Sequence, residues 1–278
     1  MILPGFYIDD IIKTAIREDI NYTDTTTDLI ISENAHGTAR FVAKADGVLC
    51  GIEVALRVFN LLDDSFKSTV YKHDGDRLKK GDIIAELEGS TRALLKGERT
   101  ALNLLQHMSG IATATDLCVQ LIKGTKASVT DTRKTLPGLR PLQKYAVTVG
   151  GGRNHRFNLS DGAMLKDNHI DAAGGITNAV SAIRKQLGHM VKLEVETRNL
   201  DEVREAIHAG ADVIMLDNMD CQTMREAVRL TDGRALLEAS GGITHDTLRK
   251  VAEIGVDIIS IGALTHSVKA LDISMKIK

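Results

Sequence analysis

The chain has 278 residues, 43% of them hydrophobic, with 35 Lys+Arg against 37 Asp+Glu and a formal net charge of -2. That length allows one large domain or two modest ones with a real core, and the near-neutral balance excludes the basic surface that non-specific nucleic-acid binding needs. Aromatic residues make up 3% and tryptophan is absent, so base-stacking platforms are poorly supplied as well.

In chain order, Ile8 to Glu18 places apolar residues at 8, 11, 12, 15 and 16, a helical spacing, with Asp9 and Asp10 near the positive end of the helix dipole. The polar run 19–28 reads as a loop. His36 to Lys44 alternates as a strand, Asp46-Gly47 signals a turn, and Val48-Leu49-Cys50 reads as a return strand. Gly51 to Leu62 has a helical apolar face. Residues 67–88 hold short strands separated by DGD and KKGD turns, a layout that resembles biotinyl and lipoyl carrier domains. Lys79-Lys80-Gly81 lacks the setting of a modifiable carrier lysine, so a structural β-layer is the better reading. Thr91 to Lys123 is a long helical pattern that Gly97 and Gly110 are expected to break. Arg99 lies beside Glu98 there, and residue physics alone reads the two as a local ion pair.

From Ala127 the rhythm becomes strand then helix. Apolar runs at Ala127–Asp131, Ala163–Lys166, Val191–Glu196, Val213–Asp217, Leu236–Ser240 and Ile258–Ile261 are separated by helices in every gap but the first. Repeated β-α units predict a parallel sheet with helical crossovers, and their even spacing favours a six-stranded barrel over a doubly wound sheet. The chemistry of such a barrel sits at the C-terminal strand ends. Those ends carry Asp131-Thr132-Arg133, Lys166, Glu196, Asp217, Ser240-Gly241-Gly242 and Gly262.

The stretch Asp131 to Asp171 concentrates cations: Arg133, Lys134, Arg153, Arg156 and Lys166, with His155 and His169. In a near-neutral protein this reads as a site for a small anion. The glycines at 241, 242 and 262 follow the last two strands, where backbone N–H groups can approach a phosphate. Glu196 and Asp217 end the middle strands. Two carboxylates there serve either as an acid/base pair or as holders of a hard cation, and beside a phosphate Mg²⁺ is the better choice. No Cys/His cluster has zinc spacing. Residue chemistry thus points to transfer between a sugar phosphate and a carboxylated small molecule. The three cysteines form no CxxC pair and read as reduced thiols. No signal peptide or apolar run of membrane-spanning length is present, so a soluble cytoplasmic protein without membrane partners is expected.

The blocks ERTALNLLQHMSGIATAT (98–115), DTRKTLPGLRPLQKYAVTVGGGRNHRFNLSDGAMLKDNHI (131–170), LEVET (193–197), VIMLDN (213–218), EASGGIT (238–244) and IGALTHS (261–267) closely resemble the quinolinate phosphoribosyltransferase family. The resemblance implies an N-terminal α/β sandwich, residues 1–112 with the tail 267–278, and a C-terminal α/β barrel over 113–266. It implies transfer of phosphoribosyl from 5-phosphoribosyl 1-pyrophosphate to quinolinate with decarboxylation, giving nicotinate mononucleotide in NAD synthesis. It also implies a homodimer, or an assembly of dimers, in which Arg99 completes the partner's pocket. By the same resemblance Thr132, Arg133, Lys134, His155, Arg156 and Lys166 line the quinolinate and pyrophosphate region, and Glu196 and Asp217 form the acidic pair at the ribose and Mg²⁺. Lys134, Lys166, Glu196 and Asp217 are the expected catalytic groups. Ser240-Gly241-Gly242 and Ile261-Gly262-Ala263 match the loops for the 5-phosphate, although many relatives have SGN where this chain has SGG. Competing readings are the molybdate-transport-associated paralogue of the same fold, a nicotinate phosphoribosyltransferase, and a non-enzymatic phosphometabolite-binding protein.

Overall fold

The computed structural model describes residues 3–277. In chain order the elements are α1 (Gly5–Asp19), α2 (Thr27–Ile30), β1 (His36–Ala43), β2 (Gly47–Val48), α3 (Ile52–Asn60), β3 (Lys67–Val70), β4 (Arg77–Leu78), β5 (Ile83–Ser90) and α4 (Thr91–Leu121). Next come β6 (Ser128–Thr130), α5 (Arg140–Val149), β7 (Ala163–Leu165), α6 (Asp167–Ala173), α7 (Ile176–Arg184), β8 (Leu193–Thr197), α8 (Leu200–Ala209) and β9 (Val213–Asp217). The chain closes with α9 (Cys221–Thr231), β10 (Leu236–Ser240), α10 (His245–Ile254), β11 (Ile258–Ser260), α11 (Ala263–His266) and β12 (Ile273–Ile277). Two compact units result. One holds the residues up to 116, then 135–151 and those from 264 onward; the other holds 117–134 and 152–263.

The first unit is built on an antiparallel sheet of order β12-β1-β5-β3. Its aliphatic core encloses a phenylalanine cluster: Phe59 of α3 is fully buried, stacks on Phe66 at 5.3 Å and lies 6.2 Å from Phe41 of β1. Outside this, Arg57 of α3 grips Asp9 of α1 with two hydrogen bonds of 2.8 Å. Two local expectations fail here. Gly97 does not interrupt α4, because its missing side chain makes room for a neighbour: a Cβ would lie 2.8 Å from the Phe59 ring. Likewise a Cβ on Gly110 would sit 2.3 Å from the Lys269 carbonyl. The chain at 47–48 does not return along β1 either; it pairs with β4.

The second unit is a six-stranded, all-parallel sheet of order β6-β11-β10-β9-β8-β7. Residues at the C-terminal ends of all six strands line a single cavity, so the sheet curls into an α/β barrel. Strand alternation explains the division of labour. Leu165, Val195, Ile214, Leu216, Leu237, Ala239 and Ile259 are buried at one set of positions, while Met164, Glu196, Met215, Asp217, Glu238, Ser240 and Ser260 at the other set reach the cavity. The crossover helices are sharply bounded. Asn199 caps α8 by accepting the Glu202 N–H, Asp220 caps α9 by accepting the Thr223 N–H, and Gly210 ends α8 in the left-handed region at φ +83°. The gap after β6, where no helix was expected, contains α5, which is counted with the first unit. Its buried side includes Leu142, Ala146 and Val147 but also Gln143 and Lys144, which obscures the apolar stripe in the sequence.

Candidate active site

The cavity has a volume of about 320 Å³ and is lined by Thr132, Arg133, Lys134, His155, Arg156, Met164, Lys166, Glu196, Met215, Asp217, Glu238, Ser240 and Ser260. Small-molecule sites begin at about this size. Nine of the residues expected from the sequence are therefore brought together. Gly241, Gly242, Ile261, Gly262 and Ala263 are not among the lining residues; the first four lie in the loops directly after β10 and β11, and Ala263 opens α11. Arg99 is in the other unit, exposed on α4, with no hydrogen bond or ion pair to any described residue, so the expected pair with Glu98 does not form. Adjacent residues on a helix do not face each other. Arg153 and His169, counted in the basic stretch, also lie outside the cavity. The Arg153 backbone donates to Val129 O at 2.8 Å, and His169 Nδ1 accepts the Lys166 N–H at 3.1 Å.

The strand register sets the positions. Glu196 pairs with Met215, which pairs with Glu238, so these three share one layer, while Asp217 pairs with Ser240 one layer nearer the mouth. Lys166 Nζ donates to Glu196 Oε2 at 2.5 Å, and Asp217 Oδ2 accepts from Asn218 Nδ2 at 2.9 Å. Opposite them, Asp131 is fully buried just beyond β6. It accepts the His155 N–H at 2.9 Å and Asn154 Nδ2 at 2.6 Å, which fixes the segment carrying His155 and Arg156. Arg156 donates to Gly162 O at 3.0 Å. Burial and the neighbouring Arg133 charge pull the Arg156 guanidinium below its usual value, with Glu194 opposing. Two guanidiniums that repel each other in a concave site favour an anion between them.

The floor was not anticipated. Glu194 and Glu238 are 7% and 1% exposed, and His155 Nε2 lies 3.1 Å from Glu194 Oε2 and 3.5 Å from Glu238 Oε1. Because His155 Nδ1 accepts the Arg156 N–H at 2.8 Å, the ring hydrogen belongs on Nε2, facing Glu194. Burial, first, and the Glu194 charge push the Glu238 carboxyl up to about 7, against the pull of His155 and of a hydrogen bond from Ser260. Thr130 Oγ1 and Glu194 Oε1 are buried without a hydrogen-bond partner among the described residues. Although His155, Glu194 and Glu238 converge closely enough to hold a metal, a metal on Nε2 would require the ring hydrogen to move to Nδ1, against the Arg156 N–H. The signal available in the sequence was an acid inside each of two short apolar runs, LEVET and LLEAS.

The loop after β10 needs its glycines. Gly241 has φ +92° and Gly242 φ +60°, and a Cβ on Gly241 would fall 2.1 Å from Asn218 Oδ1.

Comparison with known proteins gives one family. The profile "Quinolinate phosphoribosyl transferase, N-terminal domain" matches residues 24–109, and "Quinolinate phosphoribosyl transferase, C-terminal domain" matches 111–276. The chain is 50% identical to the "probable nicotinate-nucleotide pyrophosphorylase [carboxylating]" of Bacillus subtilis over 260 residues, 94% of this chain and 90% of the relative. It is 43% identical to the chloroplastic nicotinate-nucleotide pyrophosphorylase [carboxylating] of Arabidopsis thaliana, over 99% of this chain and 84% of that protein. The crystal structure of NadC from Streptococcus pyogenes superposes with a TM-score of 0.96 at 44% identity, covering 100% of this chain and 99% of that one.

Proposed function

The chain belongs to the quinolinate phosphoribosyltransferase family, and on that premise we propose how its barrel cavity carries out the decarboxylating reaction of NAD biosynthesis. Quinolinate and 5-phosphoribosyl 1-pyrophosphate are the substrates; nicotinate mononucleotide, pyrophosphate and CO₂ are the products. The pyrophosphorylase names borne by relatives describe the same chemistry from the product side. The observation that carries the reading is one cavity in which Arg133, Lys134, Arg156 and Lys166 face Glu196 and Asp217.

The cations hold the two carboxylates of the pyridine and the leaving pyrophosphate. The planar forks of Arg133 and Arg156 suit carboxylates, and Lys134 and Lys166 supply point charge. Thr132 and His155 border the same region. The ring nitrogen attacks C1 of the ribose as pyrophosphate leaves, so no side-chain nucleophile is required. Positive charge developing on the ribose is offset by Glu196 and Asp217. The quaternised nitrogen then draws electrons as the adjacent carboxylate departs. Preorganised charge and positioning are the main contributions of the protein. Ser240, Gly241 and Gly242, with Ile261, Gly262 and Ala263, receive the 5-phosphate from the rim.

Glu196 and Asp217 fit a supporting role toward Mg²⁺. They are two carboxylates, one already ion-paired with Lys166, which suits an ion carried mainly by substrate phosphates rather than an all-protein cage. When bound, the ion would neutralise the departing pyrophosphate. We further infer a homodimer in which Arg99 of the partner subunit completes the pocket, supported by the exposed, unpartnered Arg99 on α4. Among the described residues no helix is long and apolar enough to cross a membrane. The free thiols of Cys50, Cys118 and Cys221 support a reducing, cytoplasmic setting.

The deciding assay mixes purified protein with phosphoribosyl pyrophosphate, Mg²⁺ and quinolinate and quantifies nicotinate mononucleotide and CO₂, with nicotinate in a parallel reaction. Product from quinolinate alone supports the assignment. Product from nicotinate alone keeps the phosphate site but overturns the acceptor. For the dimer, inactive Arg99→Ala mixed with an inactive barrel variant should regain partial activity; no recovery counts against a shared site.

A further inference from the structure

Glu238 takes no part in the phosphoribosyl transfer, yet it lines the cavity at 1% exposure, with Oε1 3.5 Å from His155 Nε2. The groups facing it are Glu194 from β8, Met215 from β9, Ser260 from β11 and His155 from the segment after α5. None of them is a free cation. The His155 ring hydrogen is directed to Glu194, and both Arg156 nitrogens with assigned partners point to Gly162 and Met164. A second negative charge beside Glu194 in so dry a place is unfavourable, and Glu238 titrates near neutrality for that reason. The cavity floor therefore presents a carboxyl that keeps its proton well above the ordinary carboxylate range.

Decarboxylation creates a need for such a group. When CO₂ leaves the pyridine ring, the electron pair of the broken carbon–carbon bond stays on the ring carbon beside the positive nitrogen. A proton must reach that carbon to give nicotinate mononucleotide. We propose that Glu238 is the catalytic acid that delivers this proton, with the Glu194–His155 pair beneath it as the positioning element. This rests on the reaction assigned above. In the step, the O–H bond of Glu238 breaks as the ring C–H bond forms, and Glu238 is left as a carboxylate. Water then restores its proton before the next turnover.

Other candidates in the cavity are committed elsewhere. Lys166 is bonded to Glu196, and the four cations are needed as cations by the substrate's charges. Glu196 is engaged by Lys166 Nζ, Asp217 accepts from Asn218, and serine hydroxyls are far weaker acids. A neutral Glu238 also admits an acceptor carboxylate nearby, which an ionised one would repel.

The test compares wild type with Glu238→Gln, an uncharged isostere without an acidic proton. First, wild type must convert quinolinate to product and CO₂; failure there removes the parent assignment and is seen before any variant is made. Next, the infrared difference spectrum of wild type minus variant at neutral pH should contain the carbonyl stretch of a protonated carboxyl. Only carboxylate bands would overturn the proposal. In single turnovers the variant should release pyrophosphate at nearly the wild-type rate while product formation slows by about 10²–10⁴-fold, the usual contribution of general acid catalysis. Quinolinate affinity should stay within about threefold, less than 1 kcal/mol. Unchanged product formation overturns the proposal. Loss of quinolinate binding, or equal slowing of both steps, also overturns it and assigns Glu238 a structural role.

Discussion

Raising the pH from 5 to 8 should weaken folding of this chain through Glu238. Below its ordinary value of 4.5 the carboxyl is neutral whether the chain is folded or not, so it makes no difference between the states. As the pH rises the unfolded chain releases this proton first, while the folded chain keeps it until about 7. The folded state binds more protons in that window, so stability falls with pH. One pH unit of displacement corresponds to about 1.4 kcal/mol, which gives a full loss of about 3 kcal/mol, of which about 2–3 kcal/mol lies between pH 5 and 8. Glutamine at 238 has no proton to lose. The assay is urea unfolding of wild type and Glu238→Gln at a series of pH values, followed by far-ultraviolet circular dichroism. Groups common to both proteins cancel in the difference. That difference should move in favour of the variant as pH rises, by about 2–3 kcal/mol. A flat difference, or wild type gaining on the variant, would refute the neutral carboxyl on the floor.

Gly241→Ala should cost about 1–3 kcal/mol of stability through its left-handed backbone and displace Asn218, which a Cβ would meet at 2.1 Å; KM for phosphoribosyl pyrophosphate should rise while quinolinate binding, read by equilibrium titration, holds. Arg156→Ala should lower kcat/KM by about 10²–10³-fold, as for removal of one preorganised donor, and near-normal turnover would sink its assignment. Phe59→Ala should destabilise by about 3–5 kcal/mol, because the ring is fully buried between Phe41 and Phe66, with little change in the specific activity of the molecules that remain folded.

The strand–helix rhythm after residue 127 was legible because each barrel strand is a short apolar run bounded by capping residues. Helix α8, Leu200–Ala209, fills one of the gaps in which a helix was expected. The basic stretch and the acidic pair were legible as well, since charge at a strand end has few structural uses. What escaped were features decided by distant partners. Gly97 and Gly110 read as helix breakers, yet they serve close approach to Phe59 and Lys269. Helix α5 hides two polar side chains on its buried face. Glu194 and Glu238 drew no reading of their own from the sequence, and only the barrel's curvature and the segment pinned by Asp131 reveal them as neighbours of His155. Arg99 carries no local clue, since nothing on its own helix answers its charge.

The two-faced strands of the barrel make its reading frame part of its chemistry. In β9 the odd positions 215 and 217 reach the cavity while Ile214 and Leu216 are buried in the core; in β10 the cavity positions are the even ones, 238 and 240. Inserting or deleting a single codon within either strand would exchange the two sets, sending a carboxylate into the apolar layer and a leucine or alanine into the cavity. Core and site would fail together. A codon gained or lost in the segment between α9 and β10 would shift neither set, so the connections, unlike the strands, can change in length without changing what the strands present.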